Sequence, residues 1–253
     1  MIYFINIAFM ILLFDFLSII TTKIINKNII INDNPNIRWF FIHSCSNILI
    51  TYYSVDDLLN CLININNIND IAWTNNSYNT FWISILTHLY HIIFFKLKND
   101  DILYHFTMVL IAGSIEYSQK SIICPAALFF LSGLPGAIDY FSLYLVKIDL
   151  MKKEDEKIIY LYLTTFLRSP GICILSFINI YNNYNNLLPI ISSFLVFWNG
   201  QYYLMKTSMD YGKFKEKFRE IWIKNNKTTN FVEETLGINN RSLISPKKIN
   251  SSI

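Results

Sequence analysis

The chain has 253 residues, of which 53% are hydrophobic, 16% aromatic and only 15% charged, with a mean hydropathy of +0.34. Soluble domains carry about 25% charged residues, so this composition excludes an ordinary water-soluble globule and points to a multi-pass membrane protein. A net charge of +3 says little as a total, and neither a nucleic-acid partner nor a cofactor is expected. Asn and Ile are frequent along the whole chain, the mark of an AT-rich genome rather than of a prion-like tract. The four cysteines, Cys45, Cys61, Cys124 and Cys173, form no C-x-x-C pair, so neither a zinc ribbon nor a redox motif is indicated. They read as small apolar residues of the spans, with a Cys61–Cys124 bridge as the alternative.

A membrane helix needs about 20 mostly apolar residues. Seven segments approach that length: Ile2–Ile20, Ile37–Val55, Tyr78–Leu97, Ile102–Ser118, Ile122–Val146, Ile158–Ile180 and Leu187–Met205. The expected fold is therefore all-α, a transmembrane bundle of about seven spans. The first segment lacks a basic leader, contains Asp15 and has no small-residue cleavage site, so it does not read as a cleavable signal peptide. Lys and Arg collect in alternate connections and in the tail from Lys206 onward, nineteen on one side of the seven-span arrangement against Lys120 alone on the other. Basic residues concentrate on the cytoplasmic side, so the N-terminus is expected outside and the tail in the cytoplasm. Three regions follow: 1–30, a first span and basic loop; 31–213, the main transmembrane domain; and 214–253, a basic tail. Within the tail Phe214, Phe218, Ile221 and Trp222 recur at i, i+4, i+7 and i+8 among Lys and Arg, as in a helix lying on an anionic leaflet. Beyond Asn225 the sequence is polar and aperiodic and disorder is expected.

Polar residues at membrane depth are the functional candidates. All four histidines fall inside expected spans, and His43, His88, His91 and His105 all lie toward the same, cytoplasmic, side. His88 and His91, at i and i+3, share a helix face. Such a pair suits metal ligation, but hydrogen bonding between helices is the favoured reading and no metal is expected. Asp139 and Asn199 lie in the same half of their spans, and Arg168, near the middle of the sixth, takes Asp139 as its natural partner by charge. Gly133, Pro135 and Gly136 interrupt the fifth span one turn before Asp139. Irregular backbone at membrane depth survives only where protein or trapped water covers it, so a break lining a wet pocket is expected there. Glu116 lies near a helix end, from which it snorkels to water, and is given no role. Asp15 has no partner that the sequence names.

Several stretches, in order, carry a resemblance. N-I-R-W-F-F-I-H-S supplies Arg38 and His43; Ser77-Tyr78 opens the third span; D-I-L-Y-H-F-T-M-V supplies Tyr104 and His105; F-L-S-G-L-P-G-A-I-D-Y-F contains Asp139; F-L-R-S-P-G supplies Arg168 and Pro170; and F-L-V-F-W-N-G-Q-Y-Y supplies Asn199 and Tyr203. Over roughly Pro35 to Lys213 the chain resembles the TLC (TRAM/LAG1/CLN8) domain, and within it the small uncharacterised TLC-domain proteins more than the ceramide synthases. The family's paired histidines are here Tyr104-His105, its H-D-x-S-D run is Gly133-Leu134-Pro135-Gly136-Ala137, and the acidic residue after Ser-Tyr is replaced by Phe81 and Trp82. The resemblance thus implies a protein of the endoplasmic reticulum or another intracellular membrane that binds, senses or moves lipid rather than catalysing. The partner is a membrane lipid, sphingolipid or phospholipid, held in a cavity lined by His43, His88, His91, His105, Pro135, Asp139, Arg168 and Asn199. The alternatives are a degenerate lipid N-acyltransferase with His105 and Asp139 as its catalytic candidates, and a structural bundle without ligand. The AT-biased composition resembles proteins of giant viruses of amoebae or of AT-rich protists.

Overall fold

A computed structural model describes residues 2–27, 29 and 34–235, with the side chains of 2, 3, 218, 221, 222 and 224–235 left undescribed. Among the described residues the fold is all-helical. Seven helical runs overlie the seven apolar segments: α1 (Ile2–Ile25), α2 (Asn36–Ile63), α3 (Asn75–Phe94), α4 (99–119), α5 (Ile123–Lys147), α6 (Lys153–Asn182) and α7 (Leu187–Thr235). Three helices are long and apolar enough to cross a membrane: Phe4–Ile25, Ile123–Lys147 and Lys153–Asn182. The other runs carry more polar side chains, such as Asp56 and Asp57 on α2 and Asp100, Asp101 and Glu116 on α4.

Two compact units divide the chain, Met1–Ser208 and the residues from Met209 onward. In the first, α2 is the central element and packs against α1, α3 and α5. Its N-terminal half meets Ile7 and Ile11 of α1 and Ile83 and Leu86 of α3 through Ile42 and Ile50. A second core joins α4, α5 and α6 around Met108, Ala112, Ala126, Ile172 and Leu175. Two glycines set close helix approaches. A Cβ on Gly136 of α5 would lie 2.5 Å from Nδ2 of Asn47 on α2, and one on Gly171 of α6 would lie 2.3 Å from the Phe130 ring on α5. A side chain at either position would have to displace the Asn47 amide or the Phe130 ring.

Local signals account for the helix ends. Thr74 and Ser77 form a reciprocal cap on α3, Ser77 N–H donating to Thr74 Oγ1 at 3.3 Å and Thr74 N–H to Ser77 Oγ at 3.0 Å. Lys120, at φ 49°, supplies the left-handed residue that ends α4. Asp15 of α1 has partners after all. The Arg38 guanidinium forks onto it, Nε donating at 2.7 Å, and Tyr90 Oη donates at 2.6 Å, so the ion pair ties α1, α2 and α3 together.

Three of the runs contain wide-turned π segments: His105–Ala112 in α4, Phe129–Gly133 in α5 and Thr164–Arg168 in α6. The fifth helix therefore does not come apart at Pro135. The interruption expected there is a π turn, after which Pro135 sits in the first turn of the resumed helix, where its missing N–H costs no bond. The cysteines are free, Cys61 and Cys124 both buried, so the bridge between them is not formed.

The second unit is described by itself. Its residues are helical through Thr235, so the helix persists past Asn225, where the sequence suggests disorder. Propagating an existing helix adds a hydrogen bond per residue without a new nucleation cost. Lys213, Lys215, Lys217 and Arg219 are exposed there. The side chains of Phe218, Ile221 and Trp222, which complete the expected amphipathic face, and the chain beyond 235 lie outside the described residues.

Candidate functional site

The sequence places the four histidines at a common depth, and the fold brings them to one cavity. Trp39 and His43 project from α2 one turn apart, and His88 and His91 share the facing side of α3. Tyr104 and His105 stand at the start of the π segment of α4, Ser132, Asp139 and Tyr140 come from α5, Tyr160 and Arg168 from α6, and Tyr203 from α7. These residues line a small polar chamber. The π turns contribute directly, because His105 begins one and Arg168 ends another. Such turns recur at functional sites, since they re-aim side chains without ending the helix.

The imidazoles form a chain of ring contacts. Centroids lie 5.4 Å apart for His43–His88, 5.2 Å for His88–His105 and 5.3 Å for His91–His105. Trp39 stacks on His91 at 3.8 Å, and Tyr140 packs on His43 at 3.9 Å. Hydrogen bonding fixes two of the rings. Asn47 Nδ2 donates to His43 Nδ1 at 3.0 Å, so the neutral ring of His43 carries its hydrogen on Nε2. His105 Nδ1 donates to the Asp101 carbonyl, which leaves its Nε2 as a bare lone pair. The favoured reading of His88 and His91 as interhelical hydrogen-bonders needs correction. Their interhelical contacts are ring to ring, and His88 Nδ1 has no hydrogen-bond partner.

Arg168 stands at the other side of the chamber. Its guanidinium lies over the Tyr203 ring at 4.9 Å, a cation–π contact of a kind that gains strength when desolvated. Asp139 is not its partner in an ion pair: no N···O contact within 4.0 Å joins the two. Charge complementarity in the sequence names a pair, but it does not fix which way two helices turn. Five of the fourteen unpartnered buried polar atoms among the described residues belong to the chamber. His43 Nε2, His88 Nδ1, His105 Nε2, Asp139 Oδ1 and Arg168 Nε are all buried without a partner. Buried polar groups are normally paired, so these five atoms, set around the chamber from α2 to α6, suit it to water or another polar guest. Of the expected cavity residues, Pro135 and Asn199 do not line the chamber. Pro135 is buried in the first turn of the resumed helix, and Asn199 is buried elsewhere on α7 with its own Oδ1 unpartnered.

Two further spaces adjoin the chamber. A narrow apolar cavity shares Tyr104 and Leu131 with it and runs past Met108, Ala112 and Leu175 toward Glu116. A more open, apolar groove between α3 and α4 touches His105 on one side and shares Phe81, Ile85, Val109 and Gly113 with that cavity. Glu116 does not snorkel. It is buried, and Ser192 of α7 donates to its Oε1 at 2.5 Å. A position near a helix end gives depth but not azimuth, and the azimuth of Glu116 points inward. Tyr140 and Tyr160 escaped sequence reasoning because aromatic residues on an apolar face read as core. Only the adjacency of Tyr140 to Asp139 could have flagged one of them.

Among the described residues no group of three or more His, Cys, Asp or Glu is set to hold a metal ion. The chamber offers instead a hydrogen-bond acceptor at His105, a donor at His43 and a buried cation at Arg168, beside an apolar annex. Comparison of the chain with protein-family models, with curated proteins and with solved structures found no match.

Proposed function

We propose that this chain is a membrane protein of the TLC type, spanning the bilayer seven times with its tail in the cytoplasm, that binds a membrane lipid in order to sense or move it. The polar head of the lipid occupies the histidine–Arg168 chamber and its hydrocarbon chain the adjoining apolar cavity. One observation carries this reading: a polar space with five unpartnered buried atoms and an apolar space of similar size share the wall formed by Tyr104 and Leu131. Ligand sites are typically apolar pockets with a few convergent polar groups, and an amphiphile is the guest whose two halves match this pair. The fixed positive charge of Arg168 favours an anionic head such as a carboxylate or phosphate. The groove between α3 and α4 supports access from within the bilayer. Intracellular membranes such as the endoplasmic reticulum are the proposed location.

The test is native mass spectrometry and lipid extraction of the full chain purified in mild detergent. The wild type should retain a stoichiometric lipid. Arg168→Gln should lose it, and Ala127→Phe, which fills the apolar cavity, should lose it while keeping the fold. A wild type that carries no lipid and shows no thermal stabilisation by any lipid class would refute the proposal. Topology is checked separately by labelling a cysteine placed at position 225, which should react only from the cytoplasmic side.

A second reading is favoured by the bare Nε2 of His105, which could act as a general base in lipid N-acylation. Nδ1 of His105 is held by a backbone carbonyl and not by a carboxylate, and Asp139 makes no contact with it. New N-acylated lipids in cells expressing the wild type, absent with His105→Ala, would favour this enzyme over the binding protein.

A further inference from the structure

Glu116 and Ser176 present two unpartnered polar atoms to the far end of the apolar cavity, where a simple acyl chain would have nothing to offer them. Glu116 is 7% exposed and Ser176 is 2% exposed. Oε2 of Glu116 and Oγ of Ser176 have no hydrogen-bond partner, and both residues line the cavity. The neighbouring polar groups are already engaged. Ser192 donates to the other oxygen of Glu116 at 2.5 Å, and Asn179 Nδ2 donates to Ser193 Oγ at 2.9 Å.

We propose that this closed end is a second recognition site, for a hydroxyl carried at the chain terminus of the bound lipid. The ligand is then polar at both ends, an ω-hydroxylated fatty acyl chain in chemical class. A hydroxyl donates to Glu116 Oε2 and accepts from the Ser176 hydroxyl, so it satisfies both orphans at once. A terminal methyl satisfies neither and leaves a carboxyl group buried against hydrocarbon. An ammonium would bring a second charge into an apolar cavity with one carboxyl to meet it, which costs more in desolvation than a hydroxyl does. The inference rests on the lipid-binding reading above and adds the identity of the chain's far end.

The experiment titrates the full chain in detergent micelles with myristic acid, ω-hydroxymyristic acid and ω-aminomyristic acid, using native mass spectrometry and the thermal shift as readouts. The ω-hydroxy acid should bind about tenfold more tightly than myristic acid, the effect expected when a buried polar group gains rather than lacks its partner. Glu116→Leu should abolish or reverse that preference, while Ser176→Ala should reduce it severalfold. Equal binding of the hydroxylated and plain acids by the wild type overturns this inference and leaves the lipid-binding reading intact. So does a preference that survives both substitutions, or tighter binding of the amino acid than of the hydroxy acid. Binding of none of the three overturns this inference, while the lipid-binding reading falls only if its own test with all lipid classes also fails. Should Glu116→Leu fail to fold, the wild-type selectivity and Ser176→Ala, which removes a single hydroxyl, still decide the matter.

Discussion

Gly136→Ala tests the link between helix packing and the chamber. The added methyl would lie 2.5 Å from Asn47 Nδ2, about 1 Å inside ordinary contact, and 3.3 Å from Asn47 Cγ. Asn47 is 1% exposed and its Nδ2 is the donor that holds His43 Nδ1 at 3.0 Å, so the amide cannot retreat without releasing the imidazole. Overpacking of this kind costs about 1–3 kcal/mol, and leaving a buried ring nitrogen unpaired costs roughly 1–3 kcal/mol more. Removing a helical glycine returns about 1 kcal/mol. The net loss is about 3 kcal/mol, which at roughly 2–4 °C per kcal/mol lowers the melting midpoint by about 6–12 °C. Gly212→Ala is the control, because nothing lies within 4 Å of its Cβ; it should be neutral or slightly stabilising. The assay is thermal unfolding in detergent, followed by intrinsic fluorescence, with lipid retention measured in parallel. An unchanged midpoint together with unchanged lipid retention would show that α2 and α5 are not held as closely as described.

Three other outcomes are expected. Asp15→Asn and Arg38→Gln should each destabilise the protein by about 1–3 kcal/mol, less than for a fully buried pair because Arg38 is 32% exposed, while the double variant should lose less than the sum, as a double-mutant cycle in thermal unfolding would reveal. Gly171→Ala should lower the melting midpoint through its clash with the Phe130 ring, and Phe130→Leu in the same chain should restore much of it. Asp100, at the rim of α4, accepts from Tyr202 Oη at 3.1 Å and from the Lys206 ammonium, and the lysine first, then the tyrosine, hold its carboxyl below the usual range. A depressed carboxyl stabilises the fold above its unfolded value of about 4 and loses that contribution as the pH falls through the depressed one. The difference in midpoint between wild type and Asp100→Asn should accordingly be present at pH 6 and vanish in strong acid, and solvent screening keeps it well under about 1 kcal/mol.

Runs of apolar residues made the helical segments legible, because hydrocarbon content and length are local properties of a chain. The histidine cluster was legible for a related reason: the seven-segment reading assigned all four imidazoles to the same end of their segments, and the fold brings them to one chamber. Azimuth was not legible. Glu116 reads as a helix-end residue reaching water and in fact faces Ser192, while Arg168 reads as the partner of Asp139 and instead lies over Tyr203. Pairing across helices was invisible for Asp15, whose partners Arg38 and Tyr90 stand on two other elements. Gly133 and Pro135 announce an irregularity, but glycine and proline permit either a rupture or a widened turn. The choice is made by whether the neighbouring helices keep the backbone bonded.

The π segments of α4, α5 and α6 have a consequence for how such a chamber can arise and be lost. A π turn is a helix holding one residue more than its α-helical frame accommodates, so a single-codon insertion creates one and a single-codon deletion removes it. Because the widened turn absorbs the extra residue, the helix on its far side keeps its register, and only the side chains within the turn are re-aimed. Removing one residue within Phe129–Gly133 would thus re-aim Leu131 and Ser132, which line the chamber, while leaving the overall span and its hydrophobicity almost unchanged. The pocket's chemistry can be gained or dismantled by indels that a hydropathy profile would never register.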